Sequence, residues 1–256
     1  MCRLAAYIGP EIPLENIIVK PGHSLLEQSQ EATEAKLAVN GDGFGIAWYG
    51  HGEQPGQYRD VMPAWSDGNL TSICRMVRSP IFLAHVRAST VGETSRVNCH
   101  PFVSGNWSFM HNGQIPSFRR IRRSLEATLP DSLYDARRGT TDSELLFLLL
   151  LANGLARSPK LAFETTVSVI RSAQGHSKRP NRMTCVFSDG QKLYACRHSC
   201  DKRSPTLYAS GELDTHGRAF ASEPLDGCRQ NWSSIEEDRF ASLSAHEMTS
   251  EPLIIG

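Results

Sequence analysis

A cysteine stands second in this chain, directly behind the initiator methionine, and opens the run Cys2-Arg3-Leu4-Ala5-Ala6-Tyr7-Ile8-Gly9. Methionine aminopeptidases remove Met1 when the next side chain is small, so the mature chain is expected to begin at Cys2 with a thiol and an α-amine on one residue. A cysteine thiol is mostly protonated at its ordinary pKa of about 8.5, whereas an α-amine, at about 7.7–8.0, is a base poised for neutral pH. One residue would then supply both nucleophile and general base. By itself, a cysteine in this position is more often incidental than reactive.

Further polar groups sit at the ends of apolar runs. Ile81-Phe82-Leu83-Ala84-His85-Val86-Arg87 and Trp107-Ser108-Phe109-Met110-His111-Asn112-Gly113 share one plan, a buried strand that ends in chemistry-bearing residues. Thr141-Asp142-Ser143-Glu144 is a capping-box pattern at the start of the run Leu145 to Leu151. Singly, each has a structural explanation: Asp142 can favour a helix dipole, His85 and His111 can be satisfied core histidines, and Asn112-Gly113 can be a turn. The glycines of Asn40-Gly41-Asp42-Gly43-Phe44-Gly45 fit neither dinucleotide nor P-loop spacing. They read as a turn feeding a strand, where backbone can approach a buried group such as the N-terminal thiol. Cys196, His198 and Cys200 offer a partial zinc pattern with no second close pair, so no metal is expected.

These groups need a scaffold. Strands are expected at 4–8, 44–49, 81–87, 107–113, 183–188, 191–196, 205–210 and 217–222, a hairpin with loop over 50–67, and helices near 24, over 68–78, from 141 and over 159–173. The leucine-rich helix is apolar on nearly all sides and should lie inside. Strands, then helices, then strands indicate an α+β chain, read as a single domain over 2–256 with two sheets covered by helices. A chain of 256 residues with no net formal charge offers no field to recruit nucleic acid or an anionic membrane. Arg119, Arg120, Arg122 and Arg123 oppose Phe118, Ile121, Leu125 and Leu129 and read as a solvated helix face. Seven cysteines, odd in number and without small-scaffold spacing, suggest reduced thiols and a cytoplasmic location, and no apolar run reaches the ~20 residues of a membrane span.

Taken in order, Met1-Cys2-Arg3-Leu4, Asp42-Gly43-Phe44-Gly45, His85-Val86-Arg87-Ala88-Ser89-Thr90, Asn98-Cys99-His100-Pro101-Phe102, His111-Asn112-Gly113 and Thr141-Asp142-Ser143-Glu144 resemble the class II glutamine amidotransferases of the N-terminal nucleophile hydrolase superfamily. The likeness is nearest to the standalone subgroup that includes the ergothioneine-pathway γ-glutamyl amidohydrolase. It implies a four-layer αββα sandwich and cleavage of a γ-glutamyl amide through a Cys2 thioester, with no cofactor. It further implies Cys2 as nucleophile, Asn112 and Gly113 as the oxyanion hole, Arg87 as the grip on the substrate α-carboxylate and Asp142 as acceptor for its α-ammonium. Thr90 and His111 would line the glutamate pocket. Members linked to synthetases commonly carry Trp and His where this chain has Ala88 and Val91, and no acceptor domain is expected to follow. Two alternatives stay open: a glutaminase subunit serving a separate acceptor or peptidase-like protein, and a non-catalytic module that binds a glutamyl metabolite. The sequence leaves the leaving-group side of the substrate undetermined.

Overall fold

The computed structural model describes residues 2–88, 93–175, 179–226 and 228–255. In chain order the strands are β1 (Arg3–Pro13), β2 (Phe44–Trp48), β3 (Gly56–Asp60), β4 (Arg78–Val86), β5 (Phe102–Ser104), β6 (Trp107–Gln114), β7 (Arg182–Ser188), β8 (Leu193–Ser199), β9 (Tyr208–Ser210), β10 (Arg218–Ala221), β11 (Trp232–Ser234), β12 (Arg239–Leu243) and β13 (Met248–Pro252). The helices are α1 (Glu15–Ile18), α2 (Leu25–Gln30), α3 (Gly68–Met76), α4 (Phe118–Glu126), α5 (Asp131–Ala136), α6 (Asp142–Ala152) and α7 (Pro159–Gln174). Among the described residues the strands form a seven-stranded sheet, β11-β9-β10-β1-β4-β2-β3, and a six-stranded sheet, β13-β12-β8-β7-β6-β5.

Strand alternation sorts the side chains into layers. On β1, Leu4, Ala6 and Ile8 join Met110, Val186, Ala195 and Ala241 in a core between the sheets. The intervening Ala5 and Tyr7 face the other way, into a core shared with Leu14, Ile17, Leu25, Leu70 and Cys74 of the α1–α3 side. Phe109, Cys185 and Phe187 turn outward from the second sheet onto α4, α6 and α7. The order is therefore helices, sheet, sheet, helices, the αββα sandwich expected.

The leucine-rich helix explains its own composition. Leu145 to Leu150 of α6 are all at most 3% exposed, with α7 and α4 on one side and β6 on the other. Thr141 caps it by accepting from Glu144 N at 3.2 Å. Glu144 does not reach back to its cap; its carboxylate takes the Arg138 and Gly139 N–H groups at 2.9 and 2.7 Å and so folds the incoming loop onto the helix. Pro159 starts α7 and Gly175, at φ 58°, ends it.

Some boundaries differ from the sequence reading. The eighth strand begins at Leu193 and runs to Ser199, the ninth shrinks to Tyr208–Ser210, and the hairpin expected over 50–67 is the β2–β3 pair. The sequence reading has no counterpart for β12 and β13. The glycine turn also serves a different sulfur from the one expected: a Cβ on Gly43 (φ 110°) would come within 2.7 Å of Cys99 Sγ, and one on Gly45 within 2.2 Å of the His100 carbonyl oxygen. Close backbone approach is thus needed here, against the 99–100 segment.

Candidate active site

The alternation that builds the cores also builds the site. Carried one residue back from β1, it puts the side chain of Cys2 on the side of Leu4 and Ala6, toward the space between the sheets, and on β6 it turns Asn112, like Met110, toward that same space. They meet there: Asn112 Nδ2 donates to the Cys2 carbonyl oxygen at 2.8 Å. Arg3 Nε donates to the same oxygen at 2.7 Å. The Cys2 sulfur is half-buried and receives the Ala88 N–H at 3.4 Å, with the Ala88 carbonyl at 3.7 Å. Loss of water around the sulfur pushes its pKa up, and the Ala88 N–H and the positive charges of Arg87 and Arg3 pull it back.

Arg87 and Ala88 continue past the end of β4, the strand beside β1. Arg87 is 4% exposed; its N–H donates to Gly43 O at 2.8 Å, its own carbonyl takes the Asp42 N–H at 2.9 Å, and its guanidinium donates to the Asp42 carbonyl at 3.4 Å. Opposite stands the first turn of α6. Asp142 accepts from Ile115 N at 2.8 Å, which ties the start of that helix to the chain just past β6. Cys2, Arg87, Ala88, His100, His111, Gly113, Gln114, Thr141, Asp142 and Ser143 line one cavity. A cation and a carboxylate in one small pocket beside a thiol suit a zwitterionic substrate.

His111 lines this cavity with both ring nitrogens engaged. Nε2 faces the Arg182 carbonyl oxygen at 3.2 Å and must donate to it, so Nδ1, 2.9 Å from Ser143 Oγ, accepts from that hydroxyl. Burial pushes the His111 pKa down, against the pull of Asp142, which keeps the ring neutral. His85 and His100 stack with ring centroids 4.2 Å apart, and none of their four ring nitrogens has a protein partner among the described residues. Burial pushes His85 down to about 3 and His100 well below its ordinary value, so both are neutral. His198, the middle residue of the partial zinc pattern, is held by Asp238 at 2.6 Å. Among the described residues, no group of three His, Cys, Asp or Glu side chains is placed to hold a metal.

Of the residues singled out from sequence, Cys2, Arg87, His111, Gly113 and Asp142 share the cavity, and Asn112 reaches it through the Cys2 carbonyl. Thr90 lies outside the described residues. The cavity is also lined by Ala88, His100, Gln114, Thr141 and Ser143, to which the sequence assigns no site role. His100 belongs to the quoted Asn98-Cys99-His100-Pro101-Phe102 segment, and Ser143 stands inside the quoted capping box.

Gly113 is constrained by its neighbours. A Cβ there would lie 1.8 Å from the Arg182 carbonyl oxygen and 2.6 Å from His111 Nε2. Because the first of these is backbone of the paired strand β7, Gly113→Ala should separate β6 from β7 locally and displace the His111 bond. A lower thermal midpoint together with loss of Cys2-dependent reactivity is the expected result, read by melting curves and by the rate of thiol alkylation.

Comparison with known proteins shows the family. Residues 18–208 match the family described as glutamine amidotransferases class-II. The probable glutamine amidotransferase DUG3 of Saccharomyces cerevisiae is 28% identical, over 99% of this chain and 85% of its own length. A γ-glutamyl-hercynylcysteine sulfoxide hydrolase of Mycobacterium tuberculosis is 30% identical, over 97% of this chain and 95% of its own. Among solved structures, a glutamine aminotransferase class-II domain protein from Silicibacter pomeroyi superposes with a TM-score of 0.78 at 34% identity, covering 98% of this chain and 99% of that one.

Proposed function

Because this chain belongs to the class II glutamine amidotransferases, we propose that it hydrolyses a γ-glutamyl amide through a thioester on Cys2 and releases glutamate. The observation that carries this reading is the seat of Cys2. Its sulfur takes an N–H from Ala88 at 3.4 Å, its carbonyl is pinned by Asn112 at 2.8 Å, and Arg87 and Asp142 stand in the same cavity wall.

With Met1 removed, the free α-amine of Cys2 takes the thiol proton and the sulfur attacks the γ-carbonyl carbon. A carboxamide nitrogen carries two protons, so the bond from Asn112 to the Cys2 carbonyl leaves a second N–H for the oxyanion, beside the Gly113 N–H. Collapse of the tetrahedral adduct breaks the C–N bond, and the leaving amine departs with the proton returned by the α-ammonium. Water then attacks the thioester, the amine again taking a proton, and glutamate leaves with the thiol restored. Arg87 pairs with the α-carboxylate and Asp142 with the α-ammonium, so the pocket rejects acyl groups that lack either charge.

Arg87→Lys keeps the charge and loses the planar fork that can give a carboxylate two parallel bonds. It should raise KM for a γ-glutamyl substrate about tenfold or more while changing kcat little, because the contact is the same in ground and transition states. Steady-state kinetics with a γ-glutamyl amide checks this, and an unchanged KM would contradict the assigned role.

Glutamine and γ-glutamyl conjugates with larger amines are the substrates to offer, with glutamate release as the readout. The likeness to a γ-glutamyl conjugate hydrolase supports a leaving group larger than ammonia. Release from such a conjugate by the chain alone is the expected result. Turnover seen only after adding a peptidase-like or acceptor protein would move the reading to a subunit that works with a partner. The seven free cysteines and the absence, among the described residues, of a helix long and apolar enough to cross a membrane support a cytoplasmic setting.

A further inference from the structure

Arg3 cannot reach the substrate and is still among the most deeply buried side chains of the protein. Strand alternation turns it away from the cavity that Cys2 faces, onto the helix side of the first sheet, where it is 0% exposed. Its Nη1 donates to Glu223 Oε1 at 3.0 Å, and its Nε donates to the Cys2 carbonyl at 2.7 Å. A fully buried ion pair is a poor device for stability, because desolvating the two charges offsets much of their attraction. The direction of its spare donor points to a different use.

Glu223 is held as firmly as a carboxylate can be. Besides Arg3, Oε1 accepts from Glu34 N at 3.0 Å; Oε2 accepts from Thr33 N at 3.0 Å and Thr33 Oγ1 at 2.6 Å and lies 2.8 Å from His23 Nε2. Burial raises its pKa, but the bonds from Thr33 and His23 outweigh it and bring the value to about 2, so the charge persists at any physiological pH. The preceding residue locks this carboxylate to the catalytic strand: Ser222 Oγ accepts from Leu4 N at 3.0 Å, and Ser222 N donates to Leu4 O at 2.9 Å. The carboxylate also fixes the Thr33–Glu34 turn, from which the chain runs on to Asp42 and Gly43, the backbone partners of Arg87.

We propose that Arg3 and Glu223 are positioning residues, a buried pair that fixes the Cys2 carbonyl from the side opposite Asn112 and so holds sulfur and α-amine in attacking geometry. A chain-terminal residue otherwise frays. Two donors on one carbonyl, one from each sheet, leave the Cys2 peptide plane no freedom to rotate. The consequence for turnover rests on the hydrolase reading above, whereas the consequence for Cys2 reactivity does not.

The test uses full-length Arg3→Lys and Glu223→Gln. It compares kcat and KM for a γ-glutamyl amide and the rate of Cys2 alkylation by iodoacetamide, read at the Cys2 peptide by mass spectrometry. Lysine keeps the charge for Glu223 but cannot serve two acceptors from one planar fork. The expected result is a fall in kcat of about 10- to 100-fold with KM within about twofold, and a parallel slowing of Cys2 alkylation. Should either single variant fail to fold, the double change Arg3→Met with Glu223→Leu leaves no orphan charge and should give a folded, slow enzyme. Folded variants with kcat and alkylation within about twofold of the parent would overturn the proposal. Lack of glutamate release by the parent protein would instead sink the hydrolase reading, and the alkylation comparison would still decide the role of the pair.

Discussion

Cys2→Ala should lower kcat for glutamate release by at least about 10⁴-fold, the scale reached when a nucleophile that works as a unit with its base is removed. The fold should survive it. The side chain is half-buried just ahead of β1 and, among the described residues, its sulfur makes two weak contacts, with the Ala88 backbone, while the backbone of Cys2 keeps its bonds from Arg3 and Asn112. Unchanged melting with lost turnover is therefore the expected pair of results. Cys2→Ser is the sharper comparison, because it keeps an α-amine and a hydroxyl of similar size but replaces a polarisable sulfur with a much weaker acid. Its residual rate measures how much of the catalysis depends on sulfur. Retained glutamate release in Cys2→Ala would remove the nucleophile from the scheme.

Asn112→Ala should cost about 10²–10³-fold in kcat, the usual effect of deleting one oxyanion donor, with KM nearly unchanged. Here the same nitrogen also anchors the Cys2 carbonyl, so the loss should lie toward the upper end of that range. The two contributions separate experimentally. Deleting the oxyanion donor slows only acyl transfer, whereas freeing the Cys2 peptide also slows alkylation of the thiol. Asn112→Asp should be no better than alanine, since a carboxylate offers no N–H and would face the developing negative charge. Stopped-assay kinetics together with alkylation rates measure both, and a kcat within about threefold of the parent would exclude Asn112 from the oxyanion hole.

What the sequence made legible was whatever short-range pattern encodes. The apolar runs of β1, β4 and β6 and their polar ends could be read directly, and a period of two puts Cys2 on the side of Leu4 and Ala6 and Asn112 on the side of Met110, but that these sides face each other is set by how the two sheets pack. The all-round apolar α6 announced its buried position. Long-range pairing was not legible. Glu223 follows a short strand 220 residues from Arg3, and no local periodicity connects a surface-type residue to a cation so distant. Gly43 needs its backbone freedom for Cys99 and not for Cys2, a distinction that depends on how the 99–100 segment folds back over β2. Strands β12 and β13 escaped because the second is an exposed polar edge, Met248–Pro252, with no alternation to find. His100 was in view as part of a motif, but its stacking on His85 is a product of tertiary packing.

A free Cys2 facing a glutamyl pocket is tested by mass spectrometry of active enzyme treated with a thiol-reactive glutamine analogue. One adduct is expected, carried by a peptide whose first residue is Cys2, with glutamate release lost in step with labelling. Full activity from protein that retains Met1, or inactivation with the label on Cys99, Cys200 or Cys228 and Cys2 unmodified, would contradict it.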